Sequence, residues 1–234
     1  MRPELAVVIP AYNEEAAIGA VVERWSAVLE RLKIDYEIRV YDDGSRDGTA
    51  AALAATAATN ARVLVAAHPN RGHGPTILRG YHEAKAEWVF QVDGDGEGPP
   101  EAFEALWAQR ETADLLVGRR VSRVSPLPRR LITAACRLAV RALFGAAIHD
   151  VNCPYRLMRG ASLHAVLVDV PVDTFAPNAV IVGLAARRGL RTREMPIVWE
   201  GRRTGTVSIV GRRLWKGAFR AFREALAISR RARR

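Results

Sequence analysis

Residues 5–45 read LAVVIPAYNEEAAIGAVVERWSAVLERLKIDYEIRVYDDGS, and this stretch decides the fold. An apolar run, Leu5–Pro10, is followed by a segment in which Ile18, Val21, Val22, Trp25, Val28 and Leu29 recur at helical spacing. A second β-rich run, Tyr36–Tyr41, comes next. Strand, helix and strand in this span predict a parallel βαβ unit, because parallel strands need a crossover connection. Asn13 is placed to cap the helix, with Glu14 and Glu15 favourably charged for its first turn.

Outward from this unit the alternation continues. Arg62–Ala66, Trp88–Val92 and Leu115–Gly118 read as further buried strands, and helical patterns follow Asp47, Gly74 and Pro100. The expected fold class is α/β, with a mostly parallel, Rossmann-like sheet flanked by helices. Beyond Gly118 the pattern loosens. Pro126–Phe144 reads as a helix, Asp150–Met158 as an irregular or extended segment, and Phe175–Arg188 as another helix. Arg193–Trp199 reads as a strand and Gly211–Ala232 as a final helix. No repeat or flexible linker interrupts the chain, so one domain over residues 1–208 is expected, with an appendage at 209–234.

The 234 residues suffice for one sizeable core. A 49% apolar and 26% charged composition excludes disorder over most of the length. Cys136 and Cys153 form no CxxC pair, and His68, His73, His82, His149 and His164 are scattered. This argues against a disulfide framework or a zinc site and suits a reducing compartment. Met1–Glu4 leads directly into the first strand without a secretory pattern, and no uncharged apolar stretch of about 18 residues is present. A cytoplasmic protein is expected.

The net charge of +10 is unevenly placed. Residues 201–234 hold eleven Arg and Lys against Glu224 alone, while the first 200 residues balance at zero. The tail therefore attracts an anionic partner: lipid headgroups, nucleic acid or another protein. Trp215, Phe219, Phe222 and Leu226 recur at helical spacing beside Arg212, Lys216, Arg220 and Arg223. A basic amphipathic C-terminal helix with aromatic anchors suits an anionic membrane interface. A helix docked on the domain with solvated arginines is the alternative. No recognition motif accompanies the charges, so nucleic acid is not expected as a partner.

Four successive strands end in polar loops: Tyr12-Asn13-Glu14, Asp42-Asp43-Gly44-Ser45, Asn70-Arg71-Gly72-His73-Gly74 and Asp93-Gly94-Asp95-Gly96-Glu97. In open α/β sheets, ligands bind outside the carboxyl ends of the strands. Asp93, Asp95 and Glu97 offer the oxygen ligands that Mg²⁺ or Mn²⁺ takes together with substrate phosphates. A solvated acidic turn before the helix opened by Pro99-Pro100 is the competing reading. Asp42 and Asp43 could accept hydrogen bonds from a ribose or base, whereas Asp47 has the alternative of bracing the next helix. Gly72-His73-Gly74 is similar to a turn that approaches a phosphate.

Together these motifs resemble family 2 glycosyltransferases in order and spacing. Asp150 with Tyr155-Arg156-Leu157-Met158-Arg159, and Glu194-Met195-Pro196-Ile197 through Arg202, Arg203 and Gly205, are similar to segments of that family's polyprenyl-phosphate sugar synthases, the dolichol-phosphate mannose and glucose type. The resemblance covers roughly residues 5–208. It implies an inverting transferase of GT-A fold that uses a nucleotide-sugar donor and Mg²⁺ or Mn²⁺. It implies that Pro10, Tyr12, Glu14 and Asp43, with Gly72 and Gly74, line the nucleotide. Asp93 would face the ribose or sugar, and Asp95 and Glu97 would hold the metal. Arg119, Arg129 or Arg130, and Arg202 or Arg203 would grip phosphates. Asn178 departs from the acid that such synthases often carry in its helix.

Sugar transfer needs a stabilised leaving diphosphate, and an alcohol acceptor also needs a general base. A lipid phosphate is already anionic and needs only positioning. Many arginines, and no isolated acid that stands out as a base, favour a phosphate acceptor, and the resemblance implies a polyprenyl phosphate at the inner face of the cell membrane; Asp150 stays a candidate base. Asp150 could equally be the buried partner of an Arg. The alternatives are a soluble transferase acting on a glycan or small molecule, and a non-catalytic nucleotide-sugar-binding protein.

Overall fold

The structure is a computed structural model that describes residues 2–121, 127–199 and 211–232, with the side chains of 127–129 and 211–214 outside the description. Seven strands form one sheet. β1 is Leu5–Ala11, β2 Tyr36–Asp42, β3 Val63–Ala67, β4 Trp88–Gln91, β5 Leu115–Val121, β6 Arg156–Arg159 and β7 Thr192–Val198. Their spatial order is β3-β2-β1-β4-β6-β5-β7. β6 runs antiparallel to both β4 and β5, and the other neighbouring strands are parallel. The helices are α1 Ile18–Arg31, α2 Thr49–Thr59, α3 His73–Glu83, α4 Phe103–Ala108, α5 Leu127–Phe144, α6 Gly160–Leu167, α7 Pro177–Arg187 and α8 Gly211–Arg231.

All seven residues of β1 are buried, as expected of a central strand covered on both faces. β1 lies between β2 and β4, so the chain order reverses beside it. That switch point opens a crevice between the loops that follow β1 and β4. Below the crevice, Trp25 of α1, Phe90 of β4, Phe103 of α4 and Tyr155 pack as an aromatic cluster with centroids 4.8 to 6.0 Å apart. Such contacts add about 1 kcal/mol per pair beyond area burial. Tyr155 also donates its hydroxyl to the Pro99 carbonyl over 3.0 Å, which holds the end of the acidic loop to the core.

The expected strands and helices are present, with two differences. Asn13 does not cap α1, which begins at Ile18 after Ala17 without a side-chain cap. Asn13 instead takes a left-handed backbone, φ 55°. Its side-chain oxygen accepts the Arg46 N–H over 2.8 Å, and its own N–H donates to Ser45 Oγ over 3.0 Å. The loop after β2 captures this residue before the helix can. Glu15 follows suit, since its carboxylate accepts the Gly48 N–H over 2.9 Å rather than flanking the first turn. The second difference is α6, an eight-residue helix that its short apolar pattern did not reveal.

Asp47 takes the structural alternative. Its carboxylate accepts both the N–H and the hydroxyl of Thr49 at the start of α2. α8 packs against α5 and α7, burying Ala225, Ile228 and Ser229. The expected boundary near residue 208 falls outside the described residues.

Candidate active site

Side chains and backbone knit the loops at the carboxyl ends of β1, β2, β3 and β4 into one rim. Asp43, buried at the end of β2, accepts the backbone N–H groups of Arg71 at 2.7 Å and Gly72 at 2.9 Å. Both of its oxygens thus hold the loop that opens α3. Asp42 turns the other way and accepts the N–H and hydroxyl of Ser45. The Glu14 N–H donates to Thr49 Oγ1 over 2.9 Å. Pro10 is buried in β1 and accepts the Gly94 N–H over 3.3 Å, while Tyr12 is exposed at the rim. A Cβ at Gly94 would stand 3.0 Å from both the Pro10 carbonyl and Ile18 Cδ1, a tight fit that glycine relieves where these two loops meet.

The packing around Gly74 by itself demands a glycine. It lies in the first turn of α3, and a Cβ there would meet the Thr174 and Phe175 carbonyls at 2.3 and 2.5 Å. Close helix-to-loop packing accounts for this glycine. Gly72 stays at the rim, where its amide serves Asp43.

Asp93 is the first residue of the acidic loop to leave the sheet. Its Oδ1 takes two N–H donors, Gln91 Nε2 at 2.9 Å and His73 Nε2 at 3.0 Å. Burial pushes the Asp93 carboxyl up, but His73, aided by the more distant Arg120 and Arg156, holds it below its ordinary value. Partial loss of hydration likewise works against charge on His73, yet Asp93, with Asp95 and Asp43 behind it, holds the imidazole above its ordinary value. Both shifts favour an ion pair at the crevice. In that pair the imidazolium carries a proton on each ring nitrogen, and Nε2 donates to Asp93 Oδ1.

Asp95 Oδ1 accepts the Glu97 N–H over 3.1 Å, and Glu97 Oε2 accepts the Trp199 indole N–H over 2.7 Å. Glu97 is therefore joined to the end of β7 as well as to the acidic loop. The Arg120 guanidinium lies 5.5 Å from the Trp199 ring and grips Asp150 through two hydrogen bonds. Trp199 thus connects the acidic loop to the Asp150 segment. Among the described residues, no three His, Cys, Asp or Glu side chains converge to hold a metal by themselves. An all-oxygen set drawn from Asp95 and Glu97 fits a hard cation that takes its remaining ligands from diphosphate and water.

The family model described as "Glycosyl transferase family 2" matches residues 6–151. The chain belongs to glycosyltransferase family 2. It is 33% identical over 212 residues to an undecaprenyl-phosphate 4-deoxy-4-formamido-L-arabinose transferase of Pseudomonas fluorescens (strain Pf0-1), spanning 88% of this chain and 61% of that protein. A protein of the same name from Pseudomonas aeruginosa (strain LESB58) is 34% identical over 176 residues, spanning 74% of this chain and 52% of that one. The chain therefore spans between about half and three-fifths of the length of these relatives. The glucosyl-3-phosphoglycerate synthase of Mycobacterium tuberculosis, solved with Mn²⁺, uridine diphosphate and phosphoglyceric acid, superposes with a TM-score of 0.71 at 19% identity. That match covers 97% of this chain and 78% of the other, and it supports the fold alone.

Within this family 2 chain, Pro10, Tyr12, Glu14, Asp43, Gly72, Asp93, Asp95 and Glu97 all lie at or just beyond the carboxyl ends of β1 to β4. Arg119 is exposed in β5. Arg129 lies in the first turn of α5 with its side chain outside the description, and Arg202 and Arg203 lie outside the described residues. Sequence reading passed over His73 as a partner for Asp93, and over Gln91, Arg120 and Trp199. The Gly-His-Gly turn held a signal for His73. Gln91 carried one too, as a polar residue inside an otherwise apolar strand.

Proposed function

We propose that this chain transfers a sugar, with inversion, from a nucleotide-sugar donor to a polyprenyl phosphate at a membrane surface. The observation that carries the choice of acceptor is the state of Asp150. An alcohol acceptor needs a general base, and the candidate Asp150 has both oxygens engaged by Arg120. A phosphate acceptor is already ionised at neutral pH, so it needs cationic side chains to place it rather than a base. The names of the relatives point to the same acceptor class.

In this reading Pro10, Tyr12, Glu14 and Asp43 line the nucleotide and Asp93 meets the ribose or sugar. Arg119, Arg129 and Arg202 would place phosphates. Asp95 and Glu97 would hold Mg²⁺ or Mn²⁺, which supplies positive charge to the leaving diphosphate when bound. His73 holds the Asp93 carboxyl below its ordinary value.

The membrane contact would fall on α8. Trp215, Phe219 and Phe222 are 55%, 65% and 45% exposed, although Ala225, Ile228 and Ser229 of the same helix are buried. Docking on the domain thus leaves the aromatic stripe exposed beside Lys216 and Arg223, whereas Arg220 pairs with Glu224 and donates to the Asp173 carbonyl. α5 adds exposed Leu131 and Leu138 next to Arg130, Arg137 and Arg141. Among the described residues no helix is long and apolar enough to cross a membrane, and a basic amphipathic helix such as α8 would lie in the interface plane.

The test incubates the full chain with Mn²⁺ or Mg²⁺ and a panel of nucleotide sugars, with and without undecaprenyl phosphate. Nucleoside diphosphate release is followed. Release that requires the lipid and is lost in Asp95→Ala is expected. Release with a water-soluble acceptor in place of lipid would overturn the acceptor assignment. Donor binding without release to any acceptor would indicate a binding protein.

A further inference from the structure

Behind Asp93 runs a buried file of side-chain hydrogen bonds that ends in α7. Gln91 closes β4, is fully buried, and donates from Nε2 to Asp93 Oδ1 over 2.9 Å. Its Oε1 accepts from Asn178 Nδ2 over 2.9 Å. Asn178 Oδ1 in turn accepts the Tyr81 hydroxyl over 2.9 Å, shorter than the 3.2 Å from that hydroxyl to Gln91 Oε1. Tyr81 has one hydroxyl proton, and it serves the nearer acceptor. The Asn178 nitrogen must then face Gln91, and the Gln91 nitrogen must face Asp93.

Asn178 is held in place from its backbone as well. Arg156, fully buried, donates to the Asn178 carbonyl over 3.0 Å and to the carbonyls of Val151 and Cys153. The far end of the file is therefore as fixed as the sheet. Asp93 Oδ1 is turned inward by Gln91 and His73, while Oδ2 has no hydrogen bond among the described residues.

We propose that Gln91 and Asn178 are positioning residues that hold the Asp93 carboxylate in one orientation, leaving Oδ2 for the nucleotide sugar. The inference rests on the reading that this crevice takes such a donor. It also gives a reason for an amide at position 178. An ionised carboxylate there would set oxygen against Gln91 Oε1. The Gln91 amide would then turn and present its own oxygen to Asp93. With Tyr81 donating from one side and Gln91 needing a donor on the other, only a group with both an acceptor and a donor satisfies the file.

The test is a double-mutant cycle on the full chain, read as the dissociation constant for UDP-glucose, GDP-mannose and related nucleotide sugars with Mn²⁺ by calorimetry. Gln91→Met keeps the volume and removes the donor. It is expected to weaken donor binding about tenfold, the scale of supporting residues behind a site. In an Asp93→Asn background the same change is expected to cost no more than about twofold, because residues that act through one another are non-additive. Asn178→Asp should follow the same pattern. An equal cost in both backgrounds, or no cost in the native one, overturns the inference. Should Gln91→Met not fold, Tyr81→Phe removes one hydroxyl from the file and is judged by the same two comparisons. A native chain that binds no nucleotide sugar overturns the donor reading and this inference with it. Native binding that Gln91→Met leaves intact overturns only the inference.

Discussion

Arg120 grips both carboxylate oxygens of Asp150, with Nε 2.7 Å from Oδ2 and Nη2 2.8 Å from Oδ1. The side chains are only 16% and 12% exposed. Removing one member would strand the other charge in a poorly hydrated place. Asp150→Ala is expected to destabilise the chain by about 3 kcal/mol, lowering the melting midpoint by roughly 6–12 °C for a chain of this size. Differential scanning calorimetry reads the shift. An unchanged midpoint with turnover abolished would instead place Asp150 in the chemistry.

The His73–Asp93 pair predicts a pH-dependent stability. His73 is raised, so its contribution is complete below the ordinary histidine value and disappears as pH rises through the folded value. Asp93 is lowered, so its contribution is present above the ordinary aspartate value and disappears as pH falls through the folded one. The advantage of the native chain over His73→Gln should thus be greatest between about pH 4 and 6.5. His73 is 55% exposed, so solvent screening keeps the advantage below about 1 kcal/mol. Urea midpoints at pH 5.5 and 8.5 compare the two. Equal differences at both values would refute the ion pair.

Gly74 should tolerate no side chain. Its Cβ would press on the Thr174 and Phe175 carbonyls, which are backbone atoms and cannot swing aside. Gly74→Ala is expected to cost about 2 kcal/mol through displacement of α3 or the 174–175 segment. Denaturant unfolding measures it. Native stability combined with lost nucleotide binding would return Gly74 to the phosphate-approach role.

Replacing Trp215, Phe219 and Phe222 together with serine should abolish most sedimentation with phosphatidylglycerol vesicles. The melting midpoint should hold, because these rings are exposed on the folded chain. Binding of the native chain should weaken in high salt, since Lys216, Arg220 and Arg223 flank the stripe. Equal binding to neutral phosphatidylcholine vesicles would count against the anionic-surface reading. Vesicle binding that survives the triple replacement would move the contact away from α8.

Much of the fold was legible because its signals are local. An apolar run of strand length, then apolar residues at helical spacing, reports burial on two faces and on one. The acidic and glycine-rich loops were legible for a related reason, since every parallel strand delivers its carboxyl end to the same rim. Asn13 misled because the residue type that caps helices also tolerates the left-handed backbone. The outcome depended on the 45–48 loop, more than thirty residues away. Arg119 and Arg120 are adjacent and chemically alike, and only the position of Asp150 distinguishes them.

The strand–helix alternation, the rim of acidic loops and the basic, aromatic-striped tail follow from amino-acid order, because periodicity, turn chemistry and charge are properties of neighbouring residues. Tertiary structure alone decided how the polar side chains are used. Asp43 became a clasp for the Arg71 and Gly72 amides, Glu97 a partner of Trp199, and Asp150 a partner of Arg120. A carboxylate carries the same charge in every sequence context. Its role depends on which donors folding brings within hydrogen-bond reach, and those donors come from distant segments.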